Sequence, residues 1–478
     1  ESAARHPQAC PPARAMSARS PAPSTRPRLL IGCLTALAGL ALLQQQILLR
    51  RPPWLQSVAI QPIRSGAAAL DVVFSRPMDR ATVAASSLVP DLPHSWLGRQ
   101  ERLRLLVEAA RPIVAPLRLE LVGQDLRRLP LQKQVVWWDP RPHLLAVVPS
   151  GEAEVLKLRL RNGRWLSLAP QQQRILQIEP LGNGSGVALV SDDNEARQRV
   201  LLRQLSQRAL SSRVQGLGDP QLGPLDELES GDSGALLFAH LSSNQLGELL
   251  VQLGGFDPDS DRTWIQSSGE KQRSLDLEAS GPLRLLPDGN GLVVPSYDGL
   301  ELLPLNPDSE SVSRQSLPGS REVKAFCSGA GRALLVRHWP DYRRSVELVI
   351  PARPPQQVWL GEAGVMAAAC DNGGERLWLV LREAGLQTQD TLLQIDSQGG
   401  EIRRRSLGDW RLSSGAELDY DPVSDQLLTV VQKAGGDVGR VALISGSTLR
   451  FEVLEQSAVL ARWLPAGGTL TDVSEPPR

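Results

Sequence analysis

The richest cluster of polar and aromatic side chains in this chain is His338-Trp339-Pro340-Asp341-Tyr342. It follows an apolar run, so the sequence predicts a loop between two strands, where functional residues often collect. Neither metal-ligand spacing nor a nucleophile with its base accompanies the cluster. A structural loop is therefore the favoured interpretation, and the side chains that would contact a ligand are His338, Trp339, Asp341 and Tyr342.

A second candidate is Asp257-Pro258-Asp259-Ser260-Asp261, whose alternating acids have the spacing that begins a calcium-binding loop. Such a loop requires glycine at its sixth position and glutamate at its twelfth, where this chain has Arg262 and Ser268. A solvated loop is the favoured interpretation, and the weak candidates for metal ligands are Asp257, Asp259 and Asp261.

Catalytic and cofactor motifs are incomplete. Gly231-Asp232-Ser233-Gly234 resembles the nucleophile loop of chymotrypsin-like proteases, but none of the five histidines has the sequence context of the matching base. Gly182, Gly184 and Gly186 lie between two apolar runs with no helical segment after them, which predicts a hairpin and not a nucleotide-binding loop. The sequence predicts no catalytic residue and no cofactor, and it favours a protein that is not an enzyme.

Composition limits the function classes. The chain has 52 basic and 52 acidic residues, and this balance gives no indication of a nucleic acid or another polyanion as partner. Of the four cysteines, Cys10 and Cys33 lie before or inside an apolar segment, whereas Cys327 and Cys370 occupy matching points of neighbouring repeats. Two buried free thiols are the favoured interpretation of the second pair, with a disulfide bridge as the alternative.

Residues 29–49 contain no charged side chain and are about as long as a helix that crosses a bilayer. We therefore predict a transmembrane signal anchor at 29–49. A cleaved signal peptide is the alternative, because Ala36-Leu37-Ala38 has the residue types of a cleavage site, although it lies in the middle of the apolar run. Glutamines at 44–46 weaken the anchor, since amides are costly in hydrocarbon.

The segment before this run, residues 1–28, is predicted to be a disordered basic lead. Residues 1–15 precede the first methionine and read as a tag or as upstream translation. A slight excess of arginine on this side of the apolar run favours a cytoplasmic N-terminus. The folded domains are then expected in a bacterial periplasm or another translocated compartment.

Short apolar runs alternate with turn residues from 54 to 130, which predicts a small β-sandwich. Within it, Val73-Phe74-Ser75-Arg76-Pro77-Met78-Asp79-Arg80-Ala81-Thr82-Val83 resembles the signature of bacterial Ig-like domains of the S-layer type. Asp79 is expected to cap the short element that follows it. The closing Asp-x-x-Gly turn of that family is missing here. The resemblance implies a spacer or adhesion module without catalysis.

From 134 to 473 one theme recurs at a spacing of roughly 40 to 60 residues: a strand, a tight turn, and a second apolar strand. This period accommodates the four strands of a propeller blade. We predict seven blades, closed by terminal strands and followed by a tail at 474–478, with eight blades as the alternative. The turns Pro287-Asp288-Gly289 and Tyr420-Asp421-Pro422 resemble those of TolB and lactonase-like propellers. Apart from the membrane helix, the predicted fold is all-β.

Three functions are open for such a protein. The leading hypothesis is a membrane-anchored extracytoplasmic binding or scaffold protein whose propeller docks a protein partner. The alternatives are a propeller hydrolase or lactonase-like enzyme, and a cell-envelope structural protein that binds saccharide. Because a fold alone does not decide among these functions, the enzyme hypothesis depends on which side chains meet at one mouth of the propeller channel. The enzyme hypothesis is favoured if at least three side chains of one set meet at that mouth. The set comprises His143, His240, His338 and nearby acidic residues.

Overall fold

The computed structural model describes residues 26–61, 66–108, 111–192, 197–207, 217–229, 236–255, 261–267, 271–305, 314–383 and 388–470. The chain divides into two compact units, Glu1–Pro52 and Pro53–Arg478. The second unit contains all the strands of the described chain, and the candidate site lies within it.

The first unit contains the helix α1 (Arg26–Arg50). None of the helices in the described residues combines the length and the apolar character needed to cross a membrane. The transmembrane anchor predicted at 29–49 is therefore wrong. The glutamines at 44–46 are the physical reason that we offer, because an amide in hydrocarbon is costly unless it finds a hydrogen-bond partner.

The second unit begins with two antiparallel sheets that share one apolar core. Their strands are β1 (Leu55–Gln61), β2 (Ala68–Phe74), β3 (Ser87–Val89), β4 (His94–Arg99), β5 (Arg102–Val107), β6 (Leu117–Leu121), β7 (Gln134–Trp138) and β37 (Gly468–Leu470). The larger sheet has the order β37-β1-β2-β5-β4 and the smaller one β3-β6-β7. Alternating residues of β6 are buried, as expected for a strand with one face on the core.

Two details of this region bear on the sequence predictions. Asp79 caps the helix α2 (Arg80–Val83), and its carboxylate accepts the N–H of Ala81 at 3.1 Å, so the predicted cap is confirmed. The run Gln134–Trp138 was expected to open the first propeller hairpin, but it pairs with β6 instead. Trp138 is fully buried in the shared core, and this burial accounts for the difference.

Seven further antiparallel sheets follow in the described residues, and we number them blades 1 to 7. Blade 1 contains β8 (His143–Ser150), β9 (Ala153–Arg159), β10 (Trp165–Ser167) and β36 (Leu460–Leu464); blade 2 contains β11 (Arg174–Pro180), β12 (Gly186–Asp192), β13 (Gln198–Gln207) and β14 (Pro220–Glu229); blade 3 contains β15 (Leu236–Ser243), β16 (Leu249–Gly255), β17 (Arg262–Gln266) and β18 (Arg273–Ser274). Blade 4 contains β19 (Arg284–Leu285), β20 (Gly291–Ser296), β21 (Gly299–Pro304) and β22 (Gln315–Pro318); blade 5 contains β23 (Arg321–Cys327), β24 (Arg332–His338), β25 (Arg344–Val349) and β26 (Gln356–Gly361). Blade 6 contains β27 (Gly364–Cys370), β28 (Arg376–Glu383), β29 (Gln389–Asp396) and β30 (Glu401–Ser406); blade 7 contains β31 (Trp410–Leu412), β32 (Asp419–Asp421), β33 (Gln426–Lys433), β34 (Gly439–Ser445) and β35 (Phe451–Ser457).

The order of the strands defines a β-propeller. Blades 2 to 6 each use four consecutive strands, and in blade 7 the inner edge is divided between β31 and β32. Blade 1 takes its innermost strand, β36, from the far end of the described chain, where β36 pairs with β8. β36 also contacts β11 of blade 2 and β32 of blade 7, so the first and last blades meet. Closure of this kind covers the inner edge of β8, and the blades of a propeller keep only short, protected edges.

Side chains of one blade hold the innermost strand of the next. The amide of Gln177 on β11 bonds both backbone groups of Leu241 on β15, at 2.7 and 3.0 Å. The Ser242 hydroxyl of blade 3 accepts the N–H of Leu285 in blade 4 at 2.9 Å. These contacts satisfy backbone groups that would otherwise be buried without partners, and they fix the strands that line the channel.

A disulfide joins the innermost strands of blades 5 and 6. Cys327 at the end of β23 and Cys370 at the end of β27 are bonded, and both are buried. The favoured prediction of two free thiols is therefore wrong. Equivalent positions on neighbouring inner strands bring the two Cα atoms to 5.4 Å, which is within the usual range for a disulfide.

Candidate functional site

A cavity of about 310 Å³ lies where the propeller channel meets the larger sheet of β1 and β2, and we call it the chamber. Ala68 and Ala69 on β2 line it from that sheet. Its propeller side is formed by innermost strands and by the turns that follow them. Side chains that line this side include Glu179, Arg284, Asp419, Tyr420, Arg462 and Trp463.

Each charged residue of the chamber comes from a different place in the sequence, because each blade contributes one innermost strand. Glu179 is on β11 of blade 2, Arg284 on β19 of blade 4, and Asp419 on β32 of blade 7. Arg462 is on β36, the strand that completes blade 1. Glu417, just before β32, pairs with both arginines. Ring closure therefore assembles a site that no local motif contains.

The ion pairs of the chamber centre on Arg462. Its guanidinium is hydrogen-bonded to Glu417, and its Nε lies 3.4 Å from Asp419 Oδ2. Arg284 Nη2 lies 3.7 Å from Glu417 Oε1. The Arg462 and Asp419 side chains are 23% and 25% exposed, whereas the Glu417 side chain is 48% exposed, so channel solvent reaches the pairs made by Glu417. Four acids, Glu179, Glu417, Asp419 and Asp421, lie around the two guanidiniums of Arg284 and Arg462, so the acids outnumber the arginines.

Glu179 is deeply buried in the wall of the chamber, with 6% of its surface exposed. Its Oε1 accepts the N–H of Ser243 at 2.8 Å, whereas its Oε2 has no hydrogen-bond partner among the described residues. Three nearby polar atoms also lack a hydrogen-bond partner within the described chain, namely Nε2 of His240, Nε of Arg462 and Nε1 of Trp463. Buried polar atoms normally find partners, so unpartnered ones around a cavity indicate a place for a ligand.

The pKa values of the chamber acids are shifted in different directions. Burial raises the pKa of Glu179 above its ordinary value, and Arg462 and Arg284 only partly oppose this rise. Burial also raises the pKa of Asp419. Burial acts in the same direction on Glu417, but Arg462 and Arg284 outweigh it and hold the pKa of Glu417 below its ordinary value. The chamber thus contains two acids that protonate more readily than usual, Glu179 and Asp419, and one that stays ionised more readily, Glu417.

Two further titratable groups are shifted near the chamber. Burial, reinforced by the charge of Arg284, lowers the pKa of His240 to about 4, so this imidazole is neutral at neutral pH. Burial raises the pKa of Asp421 to about 6. The carboxylate of Asp421 accepts the backbone N–H groups of Val423 and Ser424 at 3.0 and 2.8 Å. Asp421 therefore orders the turn that contains Val423. The Val423 side chain packs in the core shared by the two sheets.

The cluster predicted at 338–342 lies elsewhere. Ser328, in the turn before β24, lines the chamber, so the turn after β24 is at the opposite end of the blade. There, Tyr342 is 88% exposed and Asp341 is bonded to Arg343, with an Oδ2–Nε distance of 2.7 Å. Trp339 donates its indole N–H to Ser345 at 2.9 Å. The structure brings none of His338, Trp339, Asp341 and Tyr342 to the chamber.

The histidines that could have formed a catalytic set do not meet. His143 is buried, with Nε2 2.9 Å from the carbonyl oxygen of Gly218, and burial lowers the pKa of His143 to about 4. His338 lies at the far end of blade 5, and only His240 is near the chamber acids. Acids, not histidines, therefore dominate the set that converges on the channel.

The remaining sequence candidates gain no support. Asp257 and Asp259 lie outside the described residues, as does the segment 231–234. Asp261 is described, but the described part of the chain contains no group of three or more histidine, cysteine and acidic residues that could hold a metal ion. The metal-site prediction therefore stays untested at 257 and 259.

The chamber residues were missed because each was read only as part of its own repeat. A signal was nevertheless present, since a charge interrupts the first apolar run of several repeats. Glu179, Arg284, Asp419 and Arg462 all occupy such positions. Innermost strands face a shared channel in a propeller, so charges repeated at that point of the blades converge.

No protein-family model matches the chain, and no curated protein matches it. The resemblance of 73–83 to S-layer Ig-like domains therefore stays a prediction. Solved structures that are similar include TolB from Acinetobacter baumannii, with 13% identity over 74% of this chain and 81% of that one and a TM-score of 0.37.

Two other similar structures have comparable values. The periplasmic gluconolactonase PpgL from Pseudomonas aeruginosa has 15% identity over 68% of this chain and 97% of that one, with a TM-score of 0.42. The BP39L lectin from Burkholderia pseudomallei has 14% identity over 67% and 96%, with a TM-score of 0.42. The class of this protein, a β-propeller with a charged chamber at its channel, rests on its own sheet order and side chains.

Proposed function

We propose that this protein is a binding protein whose chamber holds a small, neutral, polyhydroxylated molecule such as a monosaccharide. The observation that carries the proposal is the buried Glu179 carboxyl, whose Oε2 has no partner among the described residues and which lines the cavity. A sugar hydroxyl can both donate and accept, so it suits a cavity lined by the Glu179 carboxyl together with arginine and tryptophan side chains.

The charge of the chamber favours a neutral ligand. The acids outnumber the arginines, and both guanidiniums are already engaged by Glu417 and Asp419, so no free cation is available to an anionic sugar acid. Aromatic side chains are available as well, since Tyr420, Trp463 and Phe326 line the cavity. The volume of about 310 Å³ lies at the lower end of the range for small-molecule sites.

Isothermal titration calorimetry with matched sugars tests this proposal. Glucose and galactose are expected to bind, and glucuronate and galacturonate to bind about tenfold or more weakly, since each carries a carboxylate in place of a hydroxymethyl group. Glu179→Gln is expected to weaken the binding of the neutral sugars. Glu227→Gln, on the exposed outer strand of the same blade, is the control and leaves binding unchanged. Equal binding of sugars and sugar acids would contradict the proposal.

A hydrolase is the second candidate, and one observation favours it. The pKa values of Glu179 and Asp419 are raised while that of the nearby Glu417 is lowered, which is how enzymes separate a proton donor from an anionic partner. Turnover of chromogenic glycosides or of sugar lactones that disappears in Glu179→Gln would favour this candidate. Binding of these compounds without turnover would favour the binding function over the hydrolase.

The compartment that we infer is oxidising and extracytoplasmic. The disulfide between Cys327 and Cys370 supports this, because such bridges form and persist mainly outside the reducing cytosol. Mass spectrometry of the protein trapped with a thiol-alkylating reagent in its own cells tests the inference. Both thiols alkylated without prior reduction would place the protein in a reducing compartment.

A further inference from the structure

A second cavity, of about 200 Å³, lies between blades 4 and 5, and we call it the blade cleft. Its walls are the facing sides of the two blades. The apolar side chains of these walls include Val293, Leu300 and Leu317 from blade 4 and Ala333, Leu335 and Val349 from blade 5. Only Leu300, Leu335 and Val349 of this set are buried, and the others are partly exposed. The two blades therefore leave a gap between their apolar faces.

A small residue on blade 5 accounts for this gap. In blade 6, Leu379 and Leu381 on β28 pack in the core shared with blade 5. Leu335 on β24 matches Leu381, because each pairs with the residue that precedes the bulge of its innermost strand. Ala333 therefore stands at the place of Leu379, with a methyl group where blade 6 has a branched side chain. Protein interiors are otherwise close-packed, so a gap of this size between two blades is unusual.

The polar side chains around the blade cleft already have partners. They are Asp288, Glu301, Gln315, Ser328 and Arg332, and each is hydrogen-bonded to a residue outside the cleft. Within the described part of the chain, no buried polar side-chain atom of the cleft lacks a partner. The chamber differs, because Glu179 Oε2 has no partner there. A polar ligand would gain few hydrogen bonds in the cleft, so its chemistry suits an apolar group.

The blade cleft adjoins the chamber. Pro287, Phe326 and Ser328 line both cavities, so a single molecule can reach from one into the other. The size of the cleft limits what such a molecule can place there. An apolar cavity of about 150 Å³ is sufficient for one benzene molecule, so the cleft accommodates a group of about the size of a phenyl ring.

We propose, on the basis of the sugar binding proposed above, that the blade cleft holds the apolar substituent of a glycoside whose sugar occupies the chamber. The ligand class is then a monosaccharide that carries a group of about the size of a phenyl ring. Such a group is stabilised in the cleft because its apolar surface leaves water. A free monosaccharide would occupy the chamber alone and gain nothing from the cleft.

Calorimetric titration of the full chain with methyl and phenyl glycosides of glucose and galactose tests the proposal. Each phenyl glycoside is expected to bind about ten times or more as tightly as the methyl glycoside of the same sugar and anomer. Ala333→Leu introduces the residue type that blade 6 has at this place, and it should bring the ratio of the two affinities close to one. Ala434→Leu, at an exposed residue in the turn between β33 and β34, is the matched control and should keep the wild-type ratio.

The wild type also provides a readout that needs no variant. Each phenyl glycoside should bind with a more negative heat-capacity change than its methyl counterpart, because burial of apolar surface has this signature. If no methyl or phenyl glycoside binds, the sugar site in the chamber fails, and the cleft proposal fails with it. If methyl glycosides bind and phenyl glycosides bind no more tightly, or if the tighter binding persists in Ala333→Leu, only the cleft proposal is overturned.

Discussion

Arg462 and Glu417 are 45 positions apart in the chain, and their side chains form an ion pair at the channel. Arg462 is on the strand that completes blade 1, and Glu417 precedes the inner strand β32 of blade 7. The pair therefore joins the first and last blades of the ring. The same guanidinium lies 3.4 Å from Asp419 and lines the chamber, so closure of the ring and formation of the site depend on one side chain.

Arg462→Gln should destabilise the ring. The variant leaves two carboxylates without their main counter-charge in a partly buried site, and we expect a loss of about 1–3 kcal/mol in the free energy of unfolding. Urea unfolding followed by fluorescence measures this loss. Arg450→Gln is the control, because its ion pair with Glu452 is largely solvent-exposed and should contribute nothing measurable. Equal unfolding midpoints for the wild type and Arg462→Gln would show that the pair does not hold the ring closed.

The disulfide between blades 5 and 6 should stabilise the propeller. Cys327→Ala/Cys370→Ala should lower the free energy of unfolding by about 2–5 kcal/mol, as is typical for removal of a native bridge. Urea unfolding with and without a reducing agent measures the effect. Reduction should destabilise the wild type and leave the double variant unchanged. If reductant shifts both proteins equally, the stabilisation does not come from this bridge.

Glu179→Gln should become more stable than the wild type as the pH rises. The folded-state pKa of Glu179 lies above its unfolded value, so the wild type loses stability as pH rises from the unfolded pKa of about 4.3 through the folded pKa. An amide has no such charge to bury. Unfolding at pH 4 and pH 7 should show a gain for the variant that grows with pH, alongside its weaker sugar binding. A variant that is destabilised equally at both pH values would refute a buried carboxyl with a raised pKa.

Acid should destabilise the protein through His143 and His240. Burial lowers the pKa of each to about 4, below the unfolded value of about 6.5. The unfolded chain therefore takes up protons first, and stability is lost as pH falls from about 6.5 to about 4, by about 3 kcal/mol for each histidine at the lower end. His143→Gln and His240→Gln should each flatten the pH dependence of unfolding between pH 7 and pH 5. Val438→Ala, at an exposed residue without a titratable group, is the control and should leave the pH dependence as in the wild type.

The sequence contained the propeller because hairpin turns recur with the period of a blade, and that pattern is local. A local pattern does not predict the two long-range strand pairings, which join β7 to β6 and β36 to β8. The absence of charge at 29–49 predicts a membrane anchor, but the three glutamines at 44–46 make the segment less apolar than an anchor requires. Matching positions of Cys327 and Cys370 were noted, but only the structure shows that they are close enough to bond.

The site was harder to predict than the fold. His338 and its neighbours were conspicuous because they are adjacent in sequence, and the structure places them on a surface turn. Glu179, Arg284, Asp419 and Arg462 were inconspicuous because each is a single charge in an otherwise apolar run. Only ring geometry makes these four residues neighbours, and geometry of this kind is not expressed as a spacing along the chain.

The indole N–H of Trp463 reports most directly on the central claim, that the chamber binds a neutral sugar. Its ¹H–¹⁵N signal, assigned with Trp463→Phe, should shift and saturate as glucose or galactose is added, because Trp463 lines the chamber that the sugar would fill. The signal of Trp359 on β26, in blade 5, should stay in place and serves as the internal control. A Trp463 signal that does not move with either sugar, or that moves equally with glucuronate, would contradict the claim.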